Sequence, residues 1–265
     1  MKTDEHIGIE LESHGRSWDG LHGGYFSDPV AARPLVDTVS LCLTRSIPGI
    51  LVDLGGGTGF VLSQLIARGV TSGIALVNMD YSAAQLSATC KTGITCVRGS
   101  IDSFNRGDLA PCDRRFFFVM RSVFHYFGED GLMPVLRHVR SQARVGEMFV
   151  HQSACFHDPR AAACINALYR KMGTKKWYPM VNQLRDCMIE AEWHVVDVCS
   201  APPLRLTSSD LGNRYGLNTA AILRIRAELV KEFGEIENVF QLLPDGFVAY
   251  LPYSIYVCTI SPKMQ

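Results

Sequence analysis

Between residues 49 and 154, short and nearly continuous apolar runs alternate with stretches whose apolar positions recur at helical spacing. Ile50–Leu54, Ile74–Met79, Thr95–Arg98, Phe116–Met120 and Met148–His151 read as strands buried on both faces, as the central strands of a parallel sheet are. The segment between the last two keeps Leu132, Val135, Leu136 and Val139 on one helical stripe. Strand and helix in strict alternation predict an α/β fold: a Rossmann-like, doubly wound, mostly parallel sheet, here of seven strands, with helices on both faces.

Beyond residue 154 the pattern loosens. Residues 155–179 hold two prolines and a Lys/Arg cluster, Met180–Glu192 regains a helical stripe through Val181, Leu184 and Met188, and Trp193–Ser200 reads as a strand stopped by Pro202-Pro203. Ser208, Ser209 and Asp210 offer N-cap oxygens to a helix-rich insert reaching about residue 235, with Ile222, Ile225, Leu229 and Phe233 as its apolar face. Gly246–Ile260 is a last long strand, in which Pro252 calls for an edge or a bulge. The expected organisation is a lid over residues 1–30 and one domain over 31–265, with covering segments near 155–180 and 202–245.

Composition narrows the function classes. Lys and Arg together number 26, as do Asp and Glu, so no overall positive field gathers phosphates and a nucleic-acid partner is not expected. The nine cysteines are odd in number, scattered and never spaced Cys-x-x-Cys, and the first twenty residues are polar; reduced thiols in a cytoplasmic protein with no metal site are expected. No apolar run approaches the ~20 residues of a membrane span.

The chemistry concentrates at Ile50-Leu51-Val52-Asp53-Leu54-Gly55-Gly56-Gly57-Thr58-Gly59. An apolar strand ends in an acid, turns through small residues and enters a helix whose free N–H groups favour an anionic ligand, while the glycines let that ligand approach the backbone. The dinucleotide fingerprint requires a small third residue, yet that place is Phe60 counted from Gly55 and Leu62 counted from Gly57. The hydrophobic-hydrophobic-Asp-x-Gly-x-Gly-x-Gly order instead resembles the first motif of the class I S-adenosylmethionine-dependent methyltransferases.

The resemblance implies the further stations. Asp53, Gly55 and Gly57 would hold the cofactor with Asp80, whose carboxylate would take the ribose hydroxyls, and Tyr81 would lie on the adenine. Ser100, Ile101 and Asp102 would border that ring, Asp102 accepting from its exocyclic amine. Arg121 follows the fourth strand and would face the methyl donor. Val123-Phe124-His125-Tyr126 is similar to the post-strand signature of small-molecule methyltransferases; His125 is the expected base, and Tyr126, His151 and Trp177 the expected substrate contacts. His22-Gly23-Gly24-Tyr25-Phe26-Ser27-Asp28-Pro29 resembles a cofactor-touching segment of DNA adenine-N6 methyltransferases, which makes Tyr25 a cofactor contact. That family also needs Asn/Asp-Pro-Pro-Tyr/Phe after its fourth strand, and Arg121-Ser122-Val123-Phe124 stands there instead. The resemblance therefore implies in-line transfer of a methyl group to an O, N or C nucleophile of a small molecule in natural-product or quinone-like metabolism, leaving S-adenosylhomocysteine. The alternatives are a peptide or protein acceptor and a non-catalytic cofactor-binding subunit. Whether the chain acts as a monomer or a homodimer is not legible.

Overall fold

A computed structural model describes residues 24–45, 47–89, 93–110 and 113–261. Most of the expected lid, including His22 and Gly23, lies outside the described residues. The described chain begins with α1 (Pro29–Arg45), followed by β1 (Ile50–Leu54), α2 (Phe60–Ala67), β2 (Ala75–Asp80), α3 (Ala83–Ala88), β3 (Ile94–Arg98), α4 (Arg106–Leu109) and β4 (Phe116–Arg121). A 3-10 turn (Phe124–Phe127) leads to α5 (Gly128–Gln142), β5 (Met148–Ala154), α6 (Pro159–Lys171), α7 (Val181–Glu190), β6 (His194–Thr207), α8 (Ser208–Tyr215), α9 (Thr219–Phe233), β7 (Phe240–Leu243) and β8 (Gly246–Thr259).

The strands make one sheet in the order β3-β2-β1-β4-β5-β8-β6, with β7 paired to β8. Strands β1 to β5 are mutually parallel, and β8 runs antiparallel to both β5 and β6. The chain winds outward from β1 to β3 and returns to β4 beside β1, which opens a crevice at the carboxyl ends of these two strands. Alternation along β1 divides the core. Ile50, Val52 and Leu54 face the layer of α5 and α7, while Leu51 faces the layer of α1 and α2. Among the described residues the sheet has eight strands where the pattern predicts seven: the extra one is β7, four residues long and too short to show periodicity.

One expectation about prolines needs correcting, and another is resolved. Pro202-Pro203 does not stop β6; the register slips between Ala201 and Leu204 and the strand resumes to Thr207. Pro252 lies inside the same slip on β8, so it occupies a bulge and not an edge, since β8 is flanked by β5 and β6. Proline has no N–H to give a ladder, and collecting three at one irregularity leaves no donor stranded in the sheet. Past this slip, β6, β7 and β8 continue as an antiparallel platform covered by α6, α8 and α9, with its own core of Ile165, Leu168, Leu206, Leu211, Ile225, Leu229, Phe240 and Phe247. Helix α6 was not predicted, although Asp158 caps it through the Arg160 and Ala161 N–H groups (3.1 and 3.2 Å) and Pro159 occupies its first turn.

Candidate active site

The glycine loop turns between β1 and α2 and is stitched to the end of β2. Gly55 and Gly56 donate to the Met79 carbonyl (2.7 and 3.2 Å), Gly57 N–H donates to Asp80 Oδ2 (2.8 Å), and Asn78 Nδ2 donates to the Gly57 carbonyl (2.9 Å). The path leaves no room for side chains. A Cβ on Gly56 would overlap the Asn78 and Asp53 side chains, and Gly57, at φ 56°, would bring a Cβ to 2.7 Å from Gln85 Oε1. Beside this loop lies a cavity lined by Asp53, Gly55, Gly56, Gly57, Thr58, Gln85, Arg121 and Phe26, among others.

Its electrostatics are set by two buried opposite charges. Asp53 is 1% exposed and neither carboxylate oxygen has a hydrogen-bond partner. Burial foremost, and then the neighbouring Asp80, raise its pKa to about 7 against the opposing pull of Arg121. Arg121 is itself buried; it donates to the Phe26 and Tyr25 carbonyls (3.0 and 3.3 Å) and lies over both rings. Asp80 is pushed up by burial and held down by backbone donors, Ser82 (2.8 Å) and Gly57 among them. That loop-tying role of Asp80 was not foreseen, since a bond between residues 57 and 80 exists only once β1 and β2 pair.

The other expected cofactor residues divide. Tyr81 is exposed at the end of β2. Ser100 and Asp102 follow β3, half-buried and exposed, whereas Ile101 is packed into the core with Met79 and Phe104. Tyr25 does not line the cavity. Its hydroxyl donates to the Pro202 carbonyl (2.6 Å) and accepts from Gln152 Nε2 (3.2 Å), its ring stacks on Tyr253, and burial pushes the phenol up to about 12. Tyr25 is an anchor because its polar tip has found partners in the interior; Phe26, the next residue, is the one that faces the cavity.

A second, tighter cavity also has Phe26 in its wall, so the two meet at this ring. Its lining includes Ser122, His125, Tyr126, Tyr169, Lys176, Tyr178, Arg214 and Tyr253. His125 lies in the 3-10 turn, its ring packed against Tyr126 (4.2 Å) and stacked on Tyr178 (5.2 Å). Ser122 Oγ and Tyr253 Oη are 2.7 Å apart. Ser122 adopts φ 62°, uncommon for a residue with a Cβ, and its N–H is tied to the Gln152 carbonyl (2.7 Å).

Of the expected base and substrate contacts, His125 and Tyr126 line this cavity and two others, Trp177 and His151, do not. Trp177 packs on the parallel-sheet core while its neighbours Lys176 and Tyr178 face the cavity, as alternation along an extended segment requires. His151 is fully buried, stacked on Tyr256 (4.9 Å) with Nδ1 2.9 Å from Ser153 Oγ, and burial lowers its pKa to about 3. It is a neutral core residue and lines neither cavity. The cavity residues missed from sequence, Ser122, Tyr169, Arg214 and Tyr253, come from four separated segments and share no local motif. Among the described residues, no group of three His, Cys, Asp or Glu could hold a metal ion, and no helix is long and apolar enough to cross a membrane.

No protein-family model and no curated protein matches the chain. Solved structures do. A candidate methyltransferase from Bacillus halodurans superposes with a TM-score of 0.63 at 11% identity, over 85% of this chain and 99% of its own. An S-adenosylmethionine-dependent methyltransferase from Geobacter sulfurreducens, solved with S-adenosylhomocysteine, does so with a TM-score of 0.50 at 14% identity, over 88% and 96%. The [4+2]-cyclase SpnF matches with a TM-score of 0.56 at 13% identity, over 87% and 82%. With the strand order, the single reversed strand beside β5 and the glycine turn after β1, these likenesses establish that the chain has the fold of the class I S-adenosylmethionine-dependent methyltransferases.

Proposed function

We propose that the protein transfers the methyl group of S-adenosylmethionine to a small-molecule nucleophile, holding the cofactor in the first cavity and the acceptor in the second. The observation that carries this reading is the glycine cradle at the β1/β4 crevice, with the orphaned Asp53 carboxylate on one side and Arg121 on the other. Those residues fit the cofactor: an acid and a guanidinium in one cavity match the ammonium and carboxylate of its methionine part. Asp80 keeps lone pairs for ribose hydroxyls after taking the Gly57 and Ser82 N–H groups, because a carboxylate offers about four acceptor sites. Tyr81, Ser100 and Asp102, at the carboxyl ends of β2 and β3, are assigned to the adenosine side.

When bound, the sulfonium supplies an already activated methyl electrophile. What the chain must add is alignment, exclusion of water and, for a protonated nucleophile, a base. Phe26 forms the wall common to both sites, and Tyr126 and Tyr178 line the second. Alignment of this kind contributes up to about 7–11 kcal/mol. His125 lines the acceptor cavity and is assigned as the base, its ring fixed by Tyr126 and Tyr178; Ser122 and Tyr253 orient the acceptor. The segments 155–180 and 202–245 act as the acceptor cover, contributing Tyr169, Lys176, Tyr178, Leu204 and Arg214.

The test is calorimetry with S-adenosylhomocysteine, followed by transfer of labelled methyl to a panel of phenols, amines and enols. The product should bind one to one. His125→Ala should lower turnover about a hundredfold or more while leaving product affinity within about twofold. Absence of product binding overturns the reading. Binding without transfer to any acceptor would favour a different reaction on this fold, as the likeness to the [4+2]-cyclase SpnF illustrates.

A further inference from the structure

Two buried side chains under the glycine loop lack the donor that each needs. Asp53 and Asn78 are register partners on β1 and β2, so their side chains leave one face of the sheet from backbones about 4.8 Å apart. Both residues are fully buried. The Asn78 amide has a fixed orientation, because Nδ2 donates to the Gly57 carbonyl and to Thr89 Oγ1 (both 2.9 Å), and the Thr89 hydroxyl donates onward to the Gly57 carbonyl (3.1 Å). Oδ1 is therefore an acceptor. It is turned towards Gly56, where an added Cβ would lie 2.3 Å from it and 2.6 Å from Asp53 Oδ2. Two acceptors thus crowd one point, and among the described residues neither Asn78 Oδ1 nor either Asp53 oxygen has a hydrogen-bond donor. The N–H groups of Gly55 and Gly56 are spent on the Met79 carbonyl, and that of Gly57 on Asp80.

We propose that in the cofactor-free protein Asp53 is a neutral acid whose O–H donates to Asn78 Oδ1, and that Asn78 is the positioning residue that holds this proton until the cofactor's ammonium displaces it. The displacement rests on the methyltransferase reading; the shared proton does not. A protonated carboxyl has one O–H donor, so a single proton turns two facing acceptors into a donor and an acceptor. The charges around the pair act in the same sense. Burial and Asp80, which follows Asn78 on the same strand face, oppose a carboxylate at Asp53, while Arg121 at the end of β4 favours one. Helices α1 and α2 pack on this face through apolar side chains, Val36, Val39, Leu62 and Leu65 among them. A hydrogen bond made by the neutral form adds to the push of burial. When an ammonium pairs with the Asp53 carboxylate the proton leaves to solvent, one positive charge replacing another, so cofactor binding is coupled to proton release.

The experiment is carbonyl-detected NMR of the isotope-labelled full chain, free of cofactor, titrated from about pH 5 to 9. Asp53 Cγ should start at the shift of a neutral acid, and Asn78 Cγ and Nδ2 should move with the same midpoint. In Asp53→Asn the Asn78 signals should no longer titrate through it. Asn78→Ala, which removes the acceptor, should weaken retention of the Asp53 proton about tenfold; if that variant does not fold, the common midpoint and its loss in Asp53→Asn decide without it. The exchange is read by calorimetry with S-adenosylhomocysteine at about pH 6, in buffers of low and high ionisation enthalpy. Close to one proton should leave per ligand bound in the wild type and none in Asp53→Asn. A carboxylate shift at Asp53 across the whole range, an Asn78 that stays silent while Asp53 titrates, or an unchanged midpoint in Asn78→Ala overturns the shared proton. Equal proton release from the wild type and Asp53→Asn overturns the exchange. Failure to bind S-adenosylhomocysteine by a protein whose Asp53 and Asn78 titrate together overturns the methyltransferase reading and leaves the shared proton standing.

Discussion

The two cavities touch at Phe26 yet are assembled by different rules. Most of the cofactor side comes from a short stretch of chain: Asp53 to Val61 supply the loop and the first turn of α2, Gln85 follows β2, and Arg121 ends β4. These groups sit where parallel strands end, so their placement follows from strand order. The acceptor side draws on residues from Phe26 to Tyr253, through the 3-10 turn, α6, the segment before α7, β6, α8 and β8. It has no local motif and depends on the register slip that carries β6 and β8 past the parallel sheet. The lesson is that one half of the site is specified by backbone geometry and the other by side-chain convergence, and the two halves should respond differently to substitution.

Gly57→Val gives the largest separation. At φ 56° a branched side chain is strained, and its Cβ starts 2.7 Å from Gln85 Oε1, inside the cofactor wall. S-adenosylhomocysteine binding should fall below detection in calorimetry, while binding of a small-molecule acceptor to the second cavity, measured without cofactor, persists. Loss of both together would mean that the sides are not separable.

Asp53→Asn is expected to have a smaller effect on binding and an opposite effect on stability. The folded-state pKa of Asp53, about 7, lies above its ordinary 3.8, so the native state retains a proton that the unfolded state releases. Its contribution to stability is fully present below about pH 4 and is lost as pH rises through about 7. At pH 8 the cofactor-free Asn variant should therefore be more stable by a few kcal/mol in urea titrations, the shift being roughly 3 pKa units at ~1.4 kcal/mol each before relaxation. Its affinity for S-adenosylhomocysteine should drop about tenfold, because the ammonium of the ligand loses an anionic partner. In the wild type that affinity should rise with pH through about 7. A pH-independent affinity would remove Asp53 from the ammonium contact.

His151→Phe should have the smallest effect on either ligand, since His151 lines neither cavity. Its sign is the reverse of Asp53: with a folded pKa of about 3 against 6.5, stability is present above about 6.5 and is lost as pH falls towards 3. The Phe variant should flatten that acid slope, at a pH-independent overpacking cost of about 1–3 kcal/mol. A change in acceptor affinity would return His151 to the site.

The sequence by itself determined the parallel half. Continuous apolar runs, the acid-to-glycine turn and the failure of the dinucleotide fingerprint at Phe60 and Leu62 all act within a few residues, and the structure keeps Asp53, Gly55, Gly57 and Arg121 together around one cavity. Tertiary structure alone decided which polar residues are functional surface and which are filling. Tyr25 and Phe26 are adjacent, as are Lys176 and Trp177, and in each pair one faces a cavity and the other the core. His151 follows the same distinction, since its strand points it at Tyr256 and not into the crevice. Local pattern sets the period of a strand or turn. Which phase of that period faces a ligand is fixed by what packs on the other side, and for this acceptor site those partners lie far apart in the chain, as in the bond from Tyr25 to Pro202, 177 residues away, and the stacking of Tyr25 on Tyr253.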